Sequence, residues 1–194
     1  MLIENAFEVA QPVDKVWRFF DNIPQVAACL PGAELTENLG DNAYRGRVMI
    51  RMGPVKLQFA GTARIKERDD AAKRIVVDAA GADDKGRGQA AMLVTATLTP
   101  ARGGTRVEVS QDLQLSGAAA QYGRGMISDV SAILMRDFAT NMQTRIDAMD
   151  RGLSPDRAGA TRSASGFTIG LRAMRLALAR VLRRFFLPYQ PNPN

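Results

Sequence analysis

The segment Ala118–Met149 reads AAAQYGRGMISDVSAILMRDFATNMQTRIDAM, and it carries a long helical pattern that no proline interrupts. Its apolar residues recur at steps of three and four, as they do in an amphipathic helix with one buried face. The members of that face are Tyr122, Met126, Val130, Ile133, Leu134, Phe138, Met142 and Ile146. The pattern predicts one long C-terminal helix whose apolar face must be covered.

The covering surface is predicted upstream, because the residues between Ala33 and Gly117 alternate between apolar and polar over long stretches. In one such stretch Leu57 and Phe59 share a face, while Lys56 lies on the other face. Turn residues punctuate the pattern at 40–42, 53–54, 69–70, 81–86 and 103–104. About six successive antiparallel strands are therefore expected.

The N-terminal residues add one more strand and two short helices. Leu2–Val9 alternates like a strand, and a helical pattern follows from Val13 to Phe20. A second short helix is expected between Pro24 and Leu30, where Pro31 and Gly32 end it. Residues 1–150 are thus predicted to form one α+β domain, in which a curved antiparallel sheet wraps around the long helix.

Composition excludes several kinds of chemistry. The chain of 194 residues has no histidine and one cysteine, Cys29, which argues against disulfides, Ser-His-Asp catalysis and most zinc sites. The formal charge is +6, but eight arginines and one acid lie from Arg151 onward, so residues 1–150 carry about −1. A near-neutral body argues against nucleic-acid binding. The N-terminus lacks the pattern of a signal peptide, so a cytoplasmic protein is expected.

The residues after the domain divide into a linker and a basic tail. Residues 151–166 are small, polar and without periodicity, and residues 167–187 form an amphipathic helical pattern. Five arginines in the bilayer would cost about 2.5–3.5 kcal/mol each, so a spanning helix is excluded. The tail is instead predicted to lie on an anionic inner leaflet. The expected membrane-binding residues are Phe167, Leu171, Arg172, Met174, Arg175, Leu178, Arg180, Val181, Leu182, Arg183, Arg184, Phe185 and Phe186.

Two other uses of the tail fit the same pattern. Its apolar face could pack on its own domain or on a dimer partner, or it could enter the groove of another protein. Release of the protein from vesicles on removal of the tail separates membrane binding from both.

The predicted interior contains soft side chains that suit either an apolar ligand cavity or an ordinary packed core. The candidate cavity residues, chosen by strand and helix face, are Leu30, Met52, Leu57, Phe59, Met92, Val109, Gln111, Tyr122, Met126, Val130, Leu134 and Phe138. Gln111 is the most informative, because alternation puts it on the same face as Val109 and Leu113. A buried amide needs a partner, which could be a backbone group at a bulge or a polar atom of a ligand. Tyr122 is either a second polar contact or core packing.

The glycine-rich segment GADDKGRG (Gly81–Gly88) is predicted to be a turn between strands. It is not a phosphate loop, since no Gly-Lys-Ser/Thr follows and no helix begins there. Asp83 and Asp84 could touch a metal, but turns select the same residues, and no metal site is expected.

Four segments carry a family resemblance. They are DNIPQVAACLPGAE (Asp21–Glu34), YRGRVMIRMGPVKLQFAGTARIKERD (Tyr44–Asp69), GADDKGRGQAAMLVTATLTP (Gly81–Pro100) and SGAAAQYGRGMISDVSAILMRDFATNM (Ser116–Met142). In this order they resemble the CoxG family of carbon monoxide dehydrogenase subunits, which belongs to the START-like (SRPBCC) helix-grip superfamily. The resemblance covers nearly all of residues 1–150.

The resemblance implies a non-catalytic accessory protein without a covalent cofactor. Its expected partner is a molybdenum-containing carbon monoxide dehydrogenase or a related hydroxylase, which it would recruit to the inner face of the cytoplasmic membrane. A quinone, either menaquinone or ubiquinone, is the expected ligand of the cavity. Two alternatives stay open: a lipid carrier or simple tether without quinone, and a small START-like enzyme for hydrophobic substrates. The enzyme would need a buried carboxylate, for which Glu34 is a candidate.

Overall fold

The computed structural model describes residues 1–52 and 55–153, apart from the side chains of Met52 and Val55. The predicted tail and nearly all of the predicted linker lie outside these residues. The elements in chain order are β1 (Leu2–Val9), α1 (Val13–Phe19), α2 (Ile23–Ala27), β2 (Ala33–Gly40), β3 (Ala43–Met52), β4 (Val55–Asp69), β5 (Arg74–Asp83), β6 (Gln89–Ala101), β7 (Gly104–Leu115) and α3 (Arg124–Asp150).

The seven strands form one antiparallel sheet in the order β1-β7-β6-β5-β4-β3-β2. Strands β1 and β2 are consecutive in the sequence but lie at opposite edges, so α1 and α2 connect the two edges. The sheet is curved and α3 packs on its inner face. The predicted α+β class, with a curved sheet around a long C-terminal helix, is confirmed.

Three glycines form a row across the central strands. Gly46 on β3 pairs with Gly61 on β4, which pairs with Gly81 on β5. A Cβ atom on Gly61 would lie 2.0 Å from the carbonyl oxygen of Ala80 and 2.5 Å from the Cα atom of Gly81. Glycine within a strand is typical of a tight bend or a close backbone approach. We therefore assign the bending of the sheet over α3 to this row.

The long helix begins later than the sequence predicts. Residues Gly117–Gln121 form a 3₁₀ turn, Tyr122 and Gly123 have extended backbone, and α3 starts at Arg124. The expectation of a continuous helix from Ala118 is therefore wrong at its N-terminal end. Gly123 and Gly125 lower helix propensity at this point, and the break turns Tyr122 toward the interior.

Hydrogen bonds anchor the C-terminal half of α3 to the start of the chain. The Gln143 side chain accepts from the backbone N–H of Ala10 at 2.7 Å, and Asp147 accepts from the Gln11 amide at 2.8 Å. The Asn141 amide donates to the carbonyl oxygen of Cys29 at 2.9 Å. This half of the helix is fixed to α1, α2 and the strand end next to them.

Trp17 fixes α1 to the turn between β4 and β5. Its indole N–H donates to the Asp70 carboxylate at 2.6 Å, and the Arg68 guanidinium lies 4.2 Å from the ring centroid. The indole hydrogen bond, followed by the charges of Arg68 and Lys73, lowers the pKa of Asp70. No helix within the described ranges is long and apolar enough to cross a bilayer.

Gly61→Ala is expected to lower the free energy of unfolding by about 1–3 kcal/mol, because its methyl group would overlap the β5 backbone. Urea denaturation of the purified variant measures the change. Gly103→Ala is the matched control, since a Cβ atom there meets no other atom within 4 Å. Equal stability of the two variants would contradict the assignment of the bend to the glycine row.

Candidate ligand-binding site

The interior between the sheet and α3 is divided into two apolar clusters. The closed cluster lies against α1 and α2, and its buried members include Val9, Trp17, Phe20, Ile75, Leu98, Val107, Val109, Met142 and Ile146. The open cluster lies toward the β3–β4 hairpin, and its buried members are Ile3, Leu57, Phe59, Ala119, Ile127, Val130 and Ile133.

A line of three polar side chains crosses the interior between these clusters. The Asn5 amide donates to the Ser131 hydroxyl at 3.0 Å, and Ser131 donates to the Gln111 side-chain oxygen at 3.1 Å. On β1, Asn5 lies between Ile3 of the open cluster and Phe7, which packs on the closed cluster. Gln111 occupies the corresponding position on β7, between Val109 of the closed cluster and Leu113, which packs on the open cluster. We call Asn5, Ser131 and Gln111 the polar layer.

Gln111 keeps an unused hydrogen-bond donor. Its side chain is 6% exposed and its oxygen accepts from Ser131, but no described residue accepts from its amide nitrogen. An amide nitrogen has two donor hydrogens, and this nitrogen still touches solvent, because it is not among the fully buried side-chain atoms of the described residues that lack a partner. The site therefore offers a donor in apolar surroundings to a ligand that carries an acceptor oxygen.

The open cluster is less well covered than the closed one. Half-buried apolar side chains pack against both clusters, but within the described residues the closed cluster has thirteen buried members and the open cluster has seven. The half-buried residues of the open cluster are Met1, Val48, Ile50, Ala90, Leu113, Leu115, Tyr122 and Leu134. The interior is thus loosest beneath the N-terminal half of α3.

The predicted cavity residues are distributed over several places. Leu57, Phe59, Tyr122, Val130 and Leu134 belong to the open cluster or pack against it. Val109 and Phe138 belong with the closed cluster, and Gln111 lies between the two.

Four members of the predicted set are not brought into either cluster. Leu30 and Met92 are half-buried outside both clusters, and the Met52 side chain lies outside the description. The placement of Met126 in the interior is wrong, because its side chain is 38% exposed. It lies in the first turn of α3.

Two clefts open elsewhere on the described surface. One of about 510 Å³ lies between α2 and the β2–β3 hairpin, and one of about 670 Å³ lies between β1 and α3. No residue of the predicted cavity set lines either cleft. The β1–α3 cleft does reach Asn5, at one end of the polar layer.

The turn between β5 and β6 is held by Asp83 and Arg87. The guanidinium donates to both carboxylate oxygens, at 2.7 and 2.8 Å, and to the carbonyl oxygen of Lys56 at 2.9 Å. These bonds, with further bonds from backbone N–H groups, hold the pKa of Asp83 well below its ordinary value. The turn prediction is confirmed, and no group of residues within the described part of the chain could hold a metal ion.

Sequence reasoning missed Asn5 and Ser131, because alternation indicates burial but not which strand meets which helix residue. Asp129 and Arg145 on α3 are also buried, and neither was predicted. Glu34, the candidate acid for an enzyme, is exposed and pairs with Arg47 at 3.1 Å. Burial raises the pKa of the Cys29 thiol to about 12, so the thiol is a poor nucleophile near neutral pH.

The fold and the apolar interior define a helix-grip protein of the START-like class. The profile of the CoxG family of carbon monoxide dehydrogenase subunits matches residues 6–147, and the chain belongs to that family. No functionally curated protein shows significant similarity to the sequence.

Three examples represent the many solved structures that are similar in fold. A conserved protein from Geobacillus kaustophilus is 21% identical with a TM-score of 0.67, over 76% of this chain and 95% of that one. A protein from Thermus thermophilus is 15% identical with a TM-score of 0.55, over 77% and 99% of the two chains. Ara h 8.0201 is 14% identical with a TM-score of 0.52, over 76% and 98%. These identities are low, so the likeness shows the fold alone.

Ser131→Ala is expected to lower the free energy of unfolding by about 1–3 kcal/mol, because it leaves the Asn5 donor and the Gln111 acceptor without their shared partner. Chemical denaturation measures the loss. Ser128→Ala, at an exposed position on the same helix, is the control and should leave stability nearly unchanged. A loss no larger than that of the control would show that the polar layer does not stabilise the fold.

Proposed function

We propose that this chain is a non-catalytic accessory protein that binds a respiratory quinone between α3 and the sheet. In this proposal it recruits a molybdenum-containing carbon monoxide dehydrogenase, or a related hydroxylase, to the inner face of the cytoplasmic membrane. Membership of the CoxG family supports the accessory role and the partner.

The observation that carries the proposal is the unused amide donor of Gln111 within an apolar interior. A quinone is a mostly apolar molecule whose polar atoms are carbonyl acceptors, so its headgroup complements this donor. Menaquinone and ubiquinone both have this combination of carbonyl acceptors and a mostly apolar body. A fatty acid or phospholipid would instead place a charged or strongly hydrated group beside the buried amide, at a large desolvation cost.

The open cluster is the expected place for the isoprenoid chain. Its half-buried side chains lie between Gln111 and the end of the sheet that carries the β3–β4 hairpin. The two clefts do not include these residues, and in this proposal the ligand enters where the N-terminal half of α3 moves away from the sheet. The C-terminal half is held by hydrogen bonds to Ala10, Gln11 and Cys29 and stays in place.

The described groups offer little for catalysis. The chain has no histidine, Glu34 is exposed, the buried Asp83 carboxylate is paired with Arg87, and the buried Asp129 also has a partner. The partner enzyme therefore supplies the two electrons that, with two protons, convert the bound quinone into quinol. The accessory protein presents the quinone and leaves the redox chemistry to the partner.

Membrane attachment in this proposal comes from residues 167–187. Their apolar face would enter the acyl boundary, and each arginine near an anionic leaflet would contribute about 1 kcal/mol. The net positive charge of the chain lies from Arg151 onward, which supports membrane attachment by the tail and ligand binding by the domain.

Full-length protein from its native membranes is expected to carry a quinone in stoichiometric amount, detected by native mass spectrometry and solvent extraction. Gln111→Leu should fold but retain about tenfold less quinone, since it removes the amide donor. Gln114→Leu, an exposed glutamine on the same strand, is the control. Absence of quinone from both native and membrane-reconstituted protein would reduce the function to tethering, and turnover of a small hydrophobic substrate without a partner would favour an enzyme.

Truncation after Ser165 is expected to release the protein from vesicles that contain anionic lipid, because it removes all five arginines of the tail. Vesicle co-sedimentation at low salt, with circular dichroism as the folding control, measures the effect. If the truncated chain stayed bound as tightly as the full chain, the tail would not be the anchor.

A further inference from the structure

One end of the domain gathers basic residues from three separate segments. The end of β3 and the start of β4 place Arg51 opposite Lys56. The β5–β6 turn adds Lys85 and Arg87, and the guanidinium of Arg87 reaches the carbonyl oxygen of Lys56 at 2.9 Å. The start of α3 adds Arg124. We call the described residues 49–52, 55–56, 83–88 and 121–126 the basic rim.

The segments of the rim are joined by hydrogen bonds. The carbonyl oxygen of Arg87 accepts from the backbone N–H of Ala118 at 2.7 Å, just before the break that precedes α3. The hydrogen bonds that Arg87 donates to the Asp83 carboxylate raise the pKa of Arg87 and hold the turn together. The hairpin end, the turn and the segment that leads into α3 are therefore connected.

Most of the positive charge on the rim is not neutralised. Its five basic residues face two acids, Asp83 and Asp84, and Asp83 is paired with Arg87. Arg51, Lys56, Lys85 and Arg124 are exposed, and within the described residues none of them forms an ion pair. Residues 1–150 together carry about −1, so the charge of the domain is strongly asymmetric.

Two further features add to this asymmetry. The first turn of α3 contains no acidic residue, so no carboxylate there offsets the positive end of the helix dipole. Apolar side chains stand among the charges: Met126 is 38% exposed and Met49 is 37% exposed. Exposed apolar groups surrounded by basic residues suit a lipid interface better than a fully aqueous surface.

We propose that the basic rim is a membrane-contact surface that binds anionic lipid headgroups and sets Met126 against the bilayer. It acts in addition to the tail and orients the domain so that the open cluster faces the lipid. Only this orienting role rests on the proposed quinone site, because headgroup binding by the rim needs no ligand in the interior.

The test uses the full chain with a reporter at the rim. Met126→Cys is labelled with an environment-sensitive fluorophore, and the native Cys29 stays unlabelled because it is buried. Vesicles of phosphatidylcholine with phosphatidylglycerol should shift the emission to the blue, and pure phosphatidylcholine vesicles should not. The same label at Thr144→Cys, exposed farther along α3, should respond to neither.

Charge variants show whether the rim produces the shift. Lys56→Gln, Lys85→Gln and Arg124→Gln together should weaken the vesicle-dependent shift, by about fivefold in lipid concentration for each charge removed. Arg18→Gln, Lys66→Gln and Arg102→Gln remove the same number of exposed, unpaired charges outside the rim and are expected to have little effect.

Three results would overturn the proposal. One is vesicle binding without a shift at residue 126, which would leave the tail as the sole contact. Another is that the two triple charge variants lose vesicle binding equally. The third is that the emission of the label at residue 126 shifts with the acidic surface of a partner enzyme but not with vesicles. The quinone measurement is separate: a shift in protein without quinone supports the rim, and quinone without a shift contradicts the rim alone.

Discussion

The sheet must curve tightly enough for one helix to fill its inner face, and the other features of the domain depend on that curvature. Strands β4 and β5 approach each other at Gly61 and Gly81 more closely than any side chain would permit. A flatter sheet would leave α3 in contact with a few strands only. The glycine row therefore brings the residues of β1, β4 and β7 to the same helix and makes a shared interior possible.

That interior is stabilised unevenly, and the unevenness is what suggests a function. Near α1 and α2 more side chains are fully buried than in the open cluster, and hydrogen bonds fix the helix in place. Beyond the polar layer the contacts are mostly apolar and the cover is incomplete. Regions with fewer buried contacts open at lower free-energy cost than the rest of a domain. A binding site that opens at one end only can admit a ligand while the fold remains intact.

Periodicity predicted the strands, the short helices and the long helix, because one buried face leaves a regular record in the sequence. It also placed Gln111 inside, where the structure has it. The sequence could not predict the partner of Gln111, since its contact with Ser131 depends on how α3 is rotated and shifted on the sheet. Met126 fits the helical pattern but is exposed, because a periodic face does not show where the sheet beneath it ends. The pairing of Asp83 with Arg87 depends on turn geometry in the same way.

The length of α3 sets a distance that any membrane-bound form must accommodate. Its 27 residues make a rod about 40 Å long, with Arg124 at one tip and the exit of the chain at the other. The predicted anchor is thus attached at the tip remote from the basic rim. Residues 151–166 could extend to about 53–58 Å at most. The sequence between domain and anchor is therefore just long enough for both tips of the protein to serve the same bilayer, and a markedly shorter one would hold the rim away from it.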